Sequence, residues 1–356
     1  MIDQRWRRTA EVLVNYSAEV RPGDRVLIVM VEPETFPLAV AVYEAVIRSG
    51  GLPHVQFGSA YLERALMQYG NEIQVNWVPE PELDEIRWAD AYIGLRGARS
   101  PHEFAGVPAD VLAAHRRAMG IVSRARNEGT RWVLMRVPTE ALAQQAGMPL
   151  DEMMAFFFRA TLRDWAEEAR TYEQIRERFQ RARTVRVTGH ETELTFSTVG
   201  RTYIIGDGRH NMPDGEIYTA PVEDSVEGVI TFEFPGVYGG VRIPDIRLVF
   251  ERGQVVSATA SANADLLCRI LDTDVGARRV GEFGVGVNFG IDRFIGDVLF
   301  DEKMGGTVHL ALGRAYAECG GTNDSAIHWD VVKDLRTGGT ISLDGEEVFR
   351  NGSFRF

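Results

Sequence analysis

Apolar and polar positions in the first half of the chain alternate between the spacing of helices and that of strands. Residues 5–18 carry apolar side chains at helical spacing, and the apolar run 26–30 predicts a buried strand. Residues 37–49 return to the helical period before two glycines, and residues 54–57 predict a second strand. A strand, a helix and a strand in this order predict a βαβ unit with a parallel sheet.

The pattern changes in the second half of the chain. Up to that point the alternation continues, with predicted strands at 91–95 and 131–135, helices at 81–88 and 108–127, and mainly helix over 139–181. Beyond it, short β-rich runs lie between Gly, Pro and Asp turns. We therefore expect two domains: an α/β domain with a mainly parallel sheet at 1–183, and a β-rich α+β metal-binding domain at 184–356.

Composition and charge exclude several classes of protein. The 356 residues include 39 Lys+Arg and 51 Asp+Glu, so the net charge is −12, which argues against a nucleic-acid or anionic-membrane partner. The chain contains no run of about 18 apolar residues, the length that a membrane-spanning helix requires. We expect a cytoplasmic protein. Two cysteines in so long a chain exclude a disulfide scaffold and a cysteine-type structural zinc site.

Two histidines and an aspartate stand out in the second half. His328 and Asp330 lie two residues apart in an extended stretch, so both side chains face the same side of a strand. His309 lies upstream in a β-pattern between glycine-rich turns. A surface His–Asp pair and a hydrogen-bonded core histidine are the alternatives for each motif taken alone. Together, two histidines and one carboxylate satisfy one catalytic metal centre.

Three glutamates occupy similar positions. Glu282 lies between glycines in a strand-like run, Glu216 follows a Pro-Asp-Gly turn, and Glu302 precedes the glycine turn before His309. An exposed strand or a solvated turn is the alternative for each glutamate alone. The candidate metal ligands are therefore Glu216, Glu282, Glu302, His309, His328 and Asp330.

These segments, read together, resemble the M29 family of metallo-aminopeptidases, the aminopeptidase T and aminopeptidase S group. The motifs that carry the resemblance are 211–221 (NMPDGEIYTAP), 280–283 (VGEF), 300–316 (FDEKMGGTVHLALGRAY) and 323–330 (NDSAIHWD). The resemblance covers roughly 205–356 by motifs, and the first domain only by its α/β alternation.

The resemblance implies a peptidase with two divalent metal ions, zinc, cobalt or manganese. It assigns metal ligation to the six candidate residues, and it places Tyr316 at the family's catalytic tyrosine. It also implies a homodimer that acts on short peptides. The segment from Glu302 to His309 is longer than in the best-known members, and the segment from His309 to His328 is shorter, which indicates a distinct branch.

The residues support this chemistry independently of the family. Four carboxylates and two imidazoles provide bridging and capping ligands for two metal ions, which lower the pKa of a bound water to about 7. Glu282 is either a bridging ligand or the proton acceptor, and Tyr316 is placed to donate to the oxyanion of a tetrahedral intermediate. Together with the family resemblance, this chemistry predicts a hydrolase that removes N-terminal residues from short peptides.

Two other functions remain open from the sequence. His309, His328 and Asp330 also match the ligand triad of a mononuclear non-haem Fe(II) enzyme, and the dihydroxypyridine ring-cleaving dioxygenases resemble this fold. A non-catalytic metal-binding protein is the other alternative. Glu216 and Glu282 have a role in a two-metal site and none in a single-iron site, so the sequence favours hydrolysis.

Overall fold

A computed structural model gives the structure of the chain, and it describes residues 3–356. The chain divides into two compact units. The first unit consists of Met1–Arg163 and Gly208–Pro213, and the second of Asp164–Asp207 and Asp214–Phe356. Within the described residues, none of the helices combines the length and the apolar character needed to span a membrane.

Helices dominate the first unit and strands the second. The helices are α1 (Gln4–Glu11), α2 (Phe36–Arg48), α3 (Ala60–Tyr69), α4 (Glu72–Val75), α5 (Glu80–Trp88), α6 (Ala109–Gly129), α7 (Glu140–Gln145), α8 (Leu150–Thr161), α9 (Trp165–Arg181), α10 (Ala264–Leu271) and α11 (Val298–Asp301). The strands are β1 (Arg25–Val31), β2 (Leu52–Gly58), β3 (Ala91–Arg96), β4 (Arg131–Arg136), β5 (Thr184–Gly189), β6 (Thr192–Ser197), β7 (Ile204–Gly206), β8 (Asn211–Met212), β9 (Glu216–Thr219), β10 (Glu227–Thr231), β11 (Gly236–Tyr238), β12 (Val241–Ile243), β13 (Arg247–Glu251), β14 (Gln254–Thr259), β15 (Val280–Gly286), β16 (Thr307–Gly313), β17 (His328–Asp334), β18 (Thr340–Leu343), β19 (Glu346–Arg350) and β20 (Ser353–Phe354).

The first unit is built on a parallel sheet with the strand order β2-β1-β3-β4-β8. Apolar side chains of β1 such as Leu27 and Ile28 are fully buried, which explains why this strand is an uninterrupted apolar run. Helix α2 packs on β1 and β2 through buried residues such as Val42. The predicted α/β architecture is therefore confirmed, although helix α1 ends at Glu11 and a π-helical turn, Val12–Ser17, continues it.

The compact units divide the chain at a different place from the predicted domain boundary near residue 183. Helix α9 packs against β7 and β9 and belongs to the second unit. The short strand β8 pairs in parallel with β4, so the segment Gly208–Pro213 belongs to the first unit although it lies far along the chain. Such a non-local pairing leaves no periodic signal in the sequence.

The second unit contains two larger antiparallel sheets and a hairpin of β11 and β12. One sheet has eight strands, in the order β14-β13-β10-β6-β5-β18-β19-β20, and the other has five, in the order β17-β16-β15-β9-β7. Every residue of β15 and β16 is buried. Charged groups in these two strands must therefore find partners inside the protein.

Candidate metal centre

Four neighbouring strands of the five-stranded sheet carry five of the six predicted ligands. Glu216 begins β9, Glu282 lies in β15, His309 in β16, and His328 and Asp330 in β17. The strands are adjacent in this order and antiparallel, so residues from distant parts of the sequence converge. We call these five residues the metal cluster.

Glycines in β15 make room for the cluster. Gly284 pairs with His309 across the sheet, and a Cβ atom added at Gly284 would lie 2.1 Å from Cε1 of the His309 ring. A Cβ atom at Gly286 would lie 2.1 Å from the carbonyl oxygen of Met304. Close approach to a side chain and to a backbone therefore explains the glycine-rich run, which fits no dinucleotide-binding motif.

Glu216, Glu282 and His309 form a first set of ligand atoms, which we call the inner donor group. Their ligand atoms all lie within 4.8 Å of one another, and all three residues are buried. Nε2 of His309 lies 3.5 Å from Oε2 of Glu216 and 3.3 Å from Oε1 of Glu282. Three possible metal-ligand atoms thus face one point in the protein interior.

Glu282, His328 and Asp330 form a second set, which we call the outer donor group. Their ligand atoms also lie within 4.8 Å of one another, and the two residues from β17 are partly exposed. Nε2 of His328 lies 3.2 Å from Oε2 of Glu282 and 3.8 Å from Oδ2 of Asp330. Glu282 therefore belongs to both groups and offers a different oxygen to each histidine.

Both imidazole rings are oriented by a main-chain carbonyl group. Nδ1 of His309 lies 3.1 Å from the carbonyl oxygen of Glu302, and Nδ1 of His328 lies 2.7 Å from that of Arg314. A neutral imidazole that donates from Nδ1 has only a lone pair at Nε2, which here faces carboxylate oxygens. Such an arrangement requires a proton or a metal ion between the rings and the carboxylates, and it is the usual outer contact of metal-bound histidine.

The charges within the cluster favour protonated histidines when no metal ion is bound. Burial would lower the pKa values of both histidines, but the hydrogen bond of each to Glu282 and the surrounding carboxylates raise them, to about 10 for His309 and about 9 for His328. Burial would raise the pKa of Glu282, but the two histidines lower it to about 2. Burial and nearby carboxylates raise the pKa of Asp330 to about 6.

The donor set fits a divalent metal ion. Among the described residues, Oε2 of Glu216 is a buried carboxylate oxygen without a hydrogen-bond donor. A buried acceptor of this kind is costly unless a cation satisfies it. Carboxylate oxygens and imidazole nitrogens are ligands of zinc and of the neighbouring first-row metals.

Glu302, the sixth predicted ligand, lies outside both donor groups. Its carboxylate forms an ion pair with the ammonium group of Lys303, which also lies 3.2 Å from Oε1 of Glu216. Lys303 is fully buried, and the carboxylates around it raise its pKa well above the usual value although burial acts in the opposite direction. The neighbouring Asp301 accepts a hydrogen bond from the main-chain N–H of Ile295, a structural contact.

Lys303, which contacts the metal cluster through Glu216, is a residue of the site that the sequence analysis did not predict. The signal was its rarity, because the chain contains only two lysines among 39 basic residues. Its position directly after two acidic residues also indicated a paired ammonium group. Its main partner outside the turn, Glu216, lies 87 residues upstream, and no local pattern reveals that contact.

Tyr316 lies beside the outer donor group. Its ring centroid is 4.8 Å from that of His328 and 5.9 Å from that of Tyr218. Its side chain is 37% exposed, so a substrate can reach it. Burial and the nearby carboxylates Glu282 and Asp330 raise the pKa of its hydroxyl, which therefore stays protonated at neutral pH.

The segment between β16 and β17, which carries Tyr316, is held by a side-chain amide. Nδ2 of Asn323 donates to the carbonyl oxygens of Gly276 and Gly313, at 2.9 and 2.6 Å. The carbonyl oxygen of Asn323 accepts from the main-chain N–H of Ala315, next to Tyr316. These bonds fix the main chain near the tyrosine.

Comparison with known proteins identifies the family. A sequence model described as "Thermophilic metalloprotease (M29)" matches residues 2–354. The chain belongs to the M29 family. This membership confirms the expected family, and with it the expectation of a metal-dependent peptidase, a hydrolase, at the level of the family.

Curated M29 relatives align either locally or along the whole chain. Aminopeptidase AmpS of Bacillus subtilis is 36% identical over 169 residues, which are 41% of this chain and 40% of that protein. Aminopeptidase T of Thermus thermophilus is 33% identical over 161 residues, which are 40% of this chain and 37% of that protein. Aminopeptidase 2 of Geobacillus stearothermophilus is 26% identical over an alignment that covers 99% of both chains.

Solved structures confirm the fold of this M29 member. Wild-type AmpT from Thermus thermophilus has a TM-score of 0.87 with 24% identity and full coverage of both chains. The 2,5-dihydroxypyridine dioxygenase of Pseudomonas putida has a TM-score of 0.61 with 15% identity, covering 99% of this chain and 97% of its own. At these identities the likeness establishes the fold alone.

Proposed function

We propose that this M29 member is an aminopeptidase that removes N-terminal residues from short peptides at a centre of two divalent metal ions. The observation that carries the proposal is the pair of donor groups that share Glu282. The curated relatives are named aminopeptidases, which supports the exopeptidase activity. Zinc, cobalt or manganese would suit the carboxylate and imidazole donors, as the sequence predicts.

The residues that would hold the ions are those of the two donor groups. Glu282 would bridge, because its Oε1 faces His309 and its Oε2 faces His328. This geometry supports the bridging role of Glu282 over that of a free proton acceptor. Ions bound there would lower the pKa of a bound water to about 7 and polarise the scissile carbonyl.

Residues of the chain would supply the other functions. The protonated hydroxyl of Tyr316 would donate a hydrogen bond to the oxyanion that forms when the carbonyl is attacked. A bound ion or a carboxylate of the cluster would hold the free α-amine of the peptide. Attraction of the free α-amine would explain removal of single N-terminal residues.

The geometry does not favour the alternative of a mononuclear iron dioxygenase. A two-histidine, one-carboxylate triad needs both imidazoles on one ion. Within the described residues, His309 belongs to the inner donor group and His328 to the outer one, and neither group contains both.

A cytoplasmic location and a homodimer remain predictions from the sequence.

Replacement of Glu282 by Gln tests the proposal. We expect the wild type to bind divalent ions and to hydrolyse aminoacyl amides but not their N-acetylated forms. Glu282→Gln should lower kcat/KM at least about 100-fold and lower the metal content. The reason is that an amide NH2 group, which cannot ligate a metal ion, replaces one of the two carboxylate oxygens. Elemental analysis and initial rates measure both effects.

Glu32→Gln is the matched control. Glu32 is also a buried glutamate, but it lies in the first unit and accepts hydrogen bonds from Ser59 and Ala60. Its replacement should leave metal content and activity close to those of the wild type. Wild-type peptidase activity in Glu282→Gln would contradict the assigned role.

A further inference from the structure

The inner donor group has a fixed positive charge beside it, and within the part of the chain that the structure describes the outer donor group does not. Lys303 is fully buried, and its Nζ lies 3.2 Å from Oε1 of Glu216, while Oε2 of the same carboxylate faces His309. The inner donor group therefore shares one of its carboxylates with an ammonium group. Among the described residues, no lysine or arginine forms an ion pair with Asp330 of the outer group.

An ammonium group in this position opposes the binding of a second cation. Two like charges a few ångströms apart repel strongly inside a protein, and the full burial of Lys303 removes the screening that water and salt provide at the surface. The ammonium group also draws on the negative charge of Glu216 that a metal ion would otherwise use. The outer donor group is subject to neither effect through direct contact.

The ammonium group also explains the position of Glu302. The carboxylate of Glu302 is paired with Lys303 and contributes to neither donor group. Glu302 and Lys303 thus form a buried pair at the edge of the inner donor group. A buried pair of this kind is kept in place because removal of either partner leaves an uncompensated charge.

We propose that Lys303 makes the two metal sites unequal, so that the outer donor group binds its ion tightly and the inner donor group binds a weaker, exchangeable ion. Lys303 is in this view a positioning residue that holds one oxygen of Glu216 and sets the affinity of the inner site. The inference rests on the ligand set of the proposed function. It concerns the relative affinity of the two sites, which the family resemblance does not address.

Zinc titration of the wild-type protein tests the inference without any variant. Metal-stripped protein is dialysed against a series of chelator-buffered zinc concentrations, and zinc per chain is measured by elemental analysis. We expect one ion per chain to bind first, and a second to bind only at zinc concentrations at least about tenfold higher. Two ions that bind in a single step would overturn the inference.

Lys303→Met removes the charge and keeps a side chain of similar length. The second binding step should move at least about tenfold towards lower zinc concentration, with a smaller change in the first step. The double variant Lys303→Met with Glu302→Gln should do the same, which separates loss of the cation from recruitment of Glu302 as a ligand. Lys303→Arg keeps the charge and should keep the two steps apart.

The other lysine of the chain provides a matched control. Lys333 is also fully buried and forms an ion pair with Glu233, 2.5 Å away, but neither residue belongs to a donor group. Lys333→Met should leave the two zinc steps where they are. An equal shift in Lys303→Met and Lys333→Met, or no shift in either, would overturn the inference.

The same titration distinguishes failure of this inference from failure of the proposed function. Two equal ions in a protein that hydrolyses aminoacyl amides would overturn the inference and leave the peptidase intact. A wild-type protein that binds no zinc tightly and hydrolyses no amide would overturn the ligand set itself, and the inference with it.

Discussion

The two imidazoles of the metal cluster are fixed before any ion arrives. Each donates from Nδ1 to a main-chain carbonyl oxygen, of Glu302 for His309 and of Arg314 for His328. Ring rotation would break these bonds, so Nε2 of each ring stays directed at Glu282. Preorganisation of this kind raises metal affinity because the ligands lose little freedom on binding.

The histidines also give the metal-free protein a distinctive pH dependence. The pKa of His309 is about 10 and that of His328 about 9 in the fold, against an ordinary value of 6.5. A raised pKa contributes stability that is complete below about pH 6.5 and is lost as pH rises through the folded-state value. The metal-stripped protein should therefore lose stability between about pH 6.5 and pH 10.

Thermal unfolding at several pH values checks this expectation. The midpoint of the chelator-treated protein should fall steadily from pH 7 to pH 9.5, whereas the zinc-loaded protein should change less, because a metal-bound Nε2 carries no proton. A midpoint of the stripped protein that is constant or rising over this range would contradict the protonation of the two histidines.

Tyr316→Phe tests the role of the hydroxyl group. We expect kcat to fall about 100-fold, because one donor to the oxyanion is lost, with unchanged metal content, because the hydroxyl belongs to neither donor group. Tyr238→Phe is the matched control, since Tyr238 is 36% exposed, against 37% for Tyr316, and packs on Trp329. Equal activity of the two variants would exclude Tyr316 from the chemistry.

At the scale of secondary-structure elements, a glycine in β15 provides the space that His309 of the neighbouring strand β16 occupies. Gly284 and His309 are cross-strand partners, and the imidazole lies where a Cβ of residue 284 would be. Gly284 is therefore needed for the geometry of the metal cluster, although it provides no ligand atom.

Gly284→Ala should destabilise the protein and weaken metal binding together. The added methyl group would lie 2.1 Å from the His309 ring, so we expect a loss of about 1–3 kcal/mol in the free energy of unfolding and a displaced Nε2. Urea unfolding and zinc titration measure the two effects. Gly120→Ala in α6, where an added Cβ meets nothing within 4 Å, should instead be neutral or stabilising by up to about 1 kcal/mol.

The sequence predicted the elements better than their pairing. Apolar runs such as β1 are visible because burial on both faces demands uninterrupted apolar residues. The position of β9 beside β15, which brings Glu216 to Glu282, depends on contacts between residues far apart in sequence. Local periodicity carries no record of such contacts, so the candidate ligands were recognisable by type and motif, and their division into two groups was not.

At the scale of the molecule, the five cluster residues all belong to the second unit, whereas the first unit contains the parallel sheet. Two ions that together bind five side chains from four strands should stabilise those strands by mass action, because the unfolded chain offers no such site. The effect should be confined to the second unit if the ions bind where the donor groups lie.

Hydrogen exchange measured by mass spectrometry checks this localisation. Zinc added to metal-stripped protein should slow amide exchange in β9, β15, β16 and β17, while β1 to β4 of the first unit should exchange at unchanged rates. Slower exchange in β1 to β4 without a change in β15 to β17 would place the ions elsewhere.

Both lysines of the chain, Lys303 and Lys333, are fully buried. The native surface therefore presents no lysine side chain to acylating reagents, to amine-directed crosslinkers or to enzymes that modify lysine. Acylation of either ε-amine would require the surrounding structure to open, so labelling of the lysine side chains reports on unfolding and not on surface accessibility.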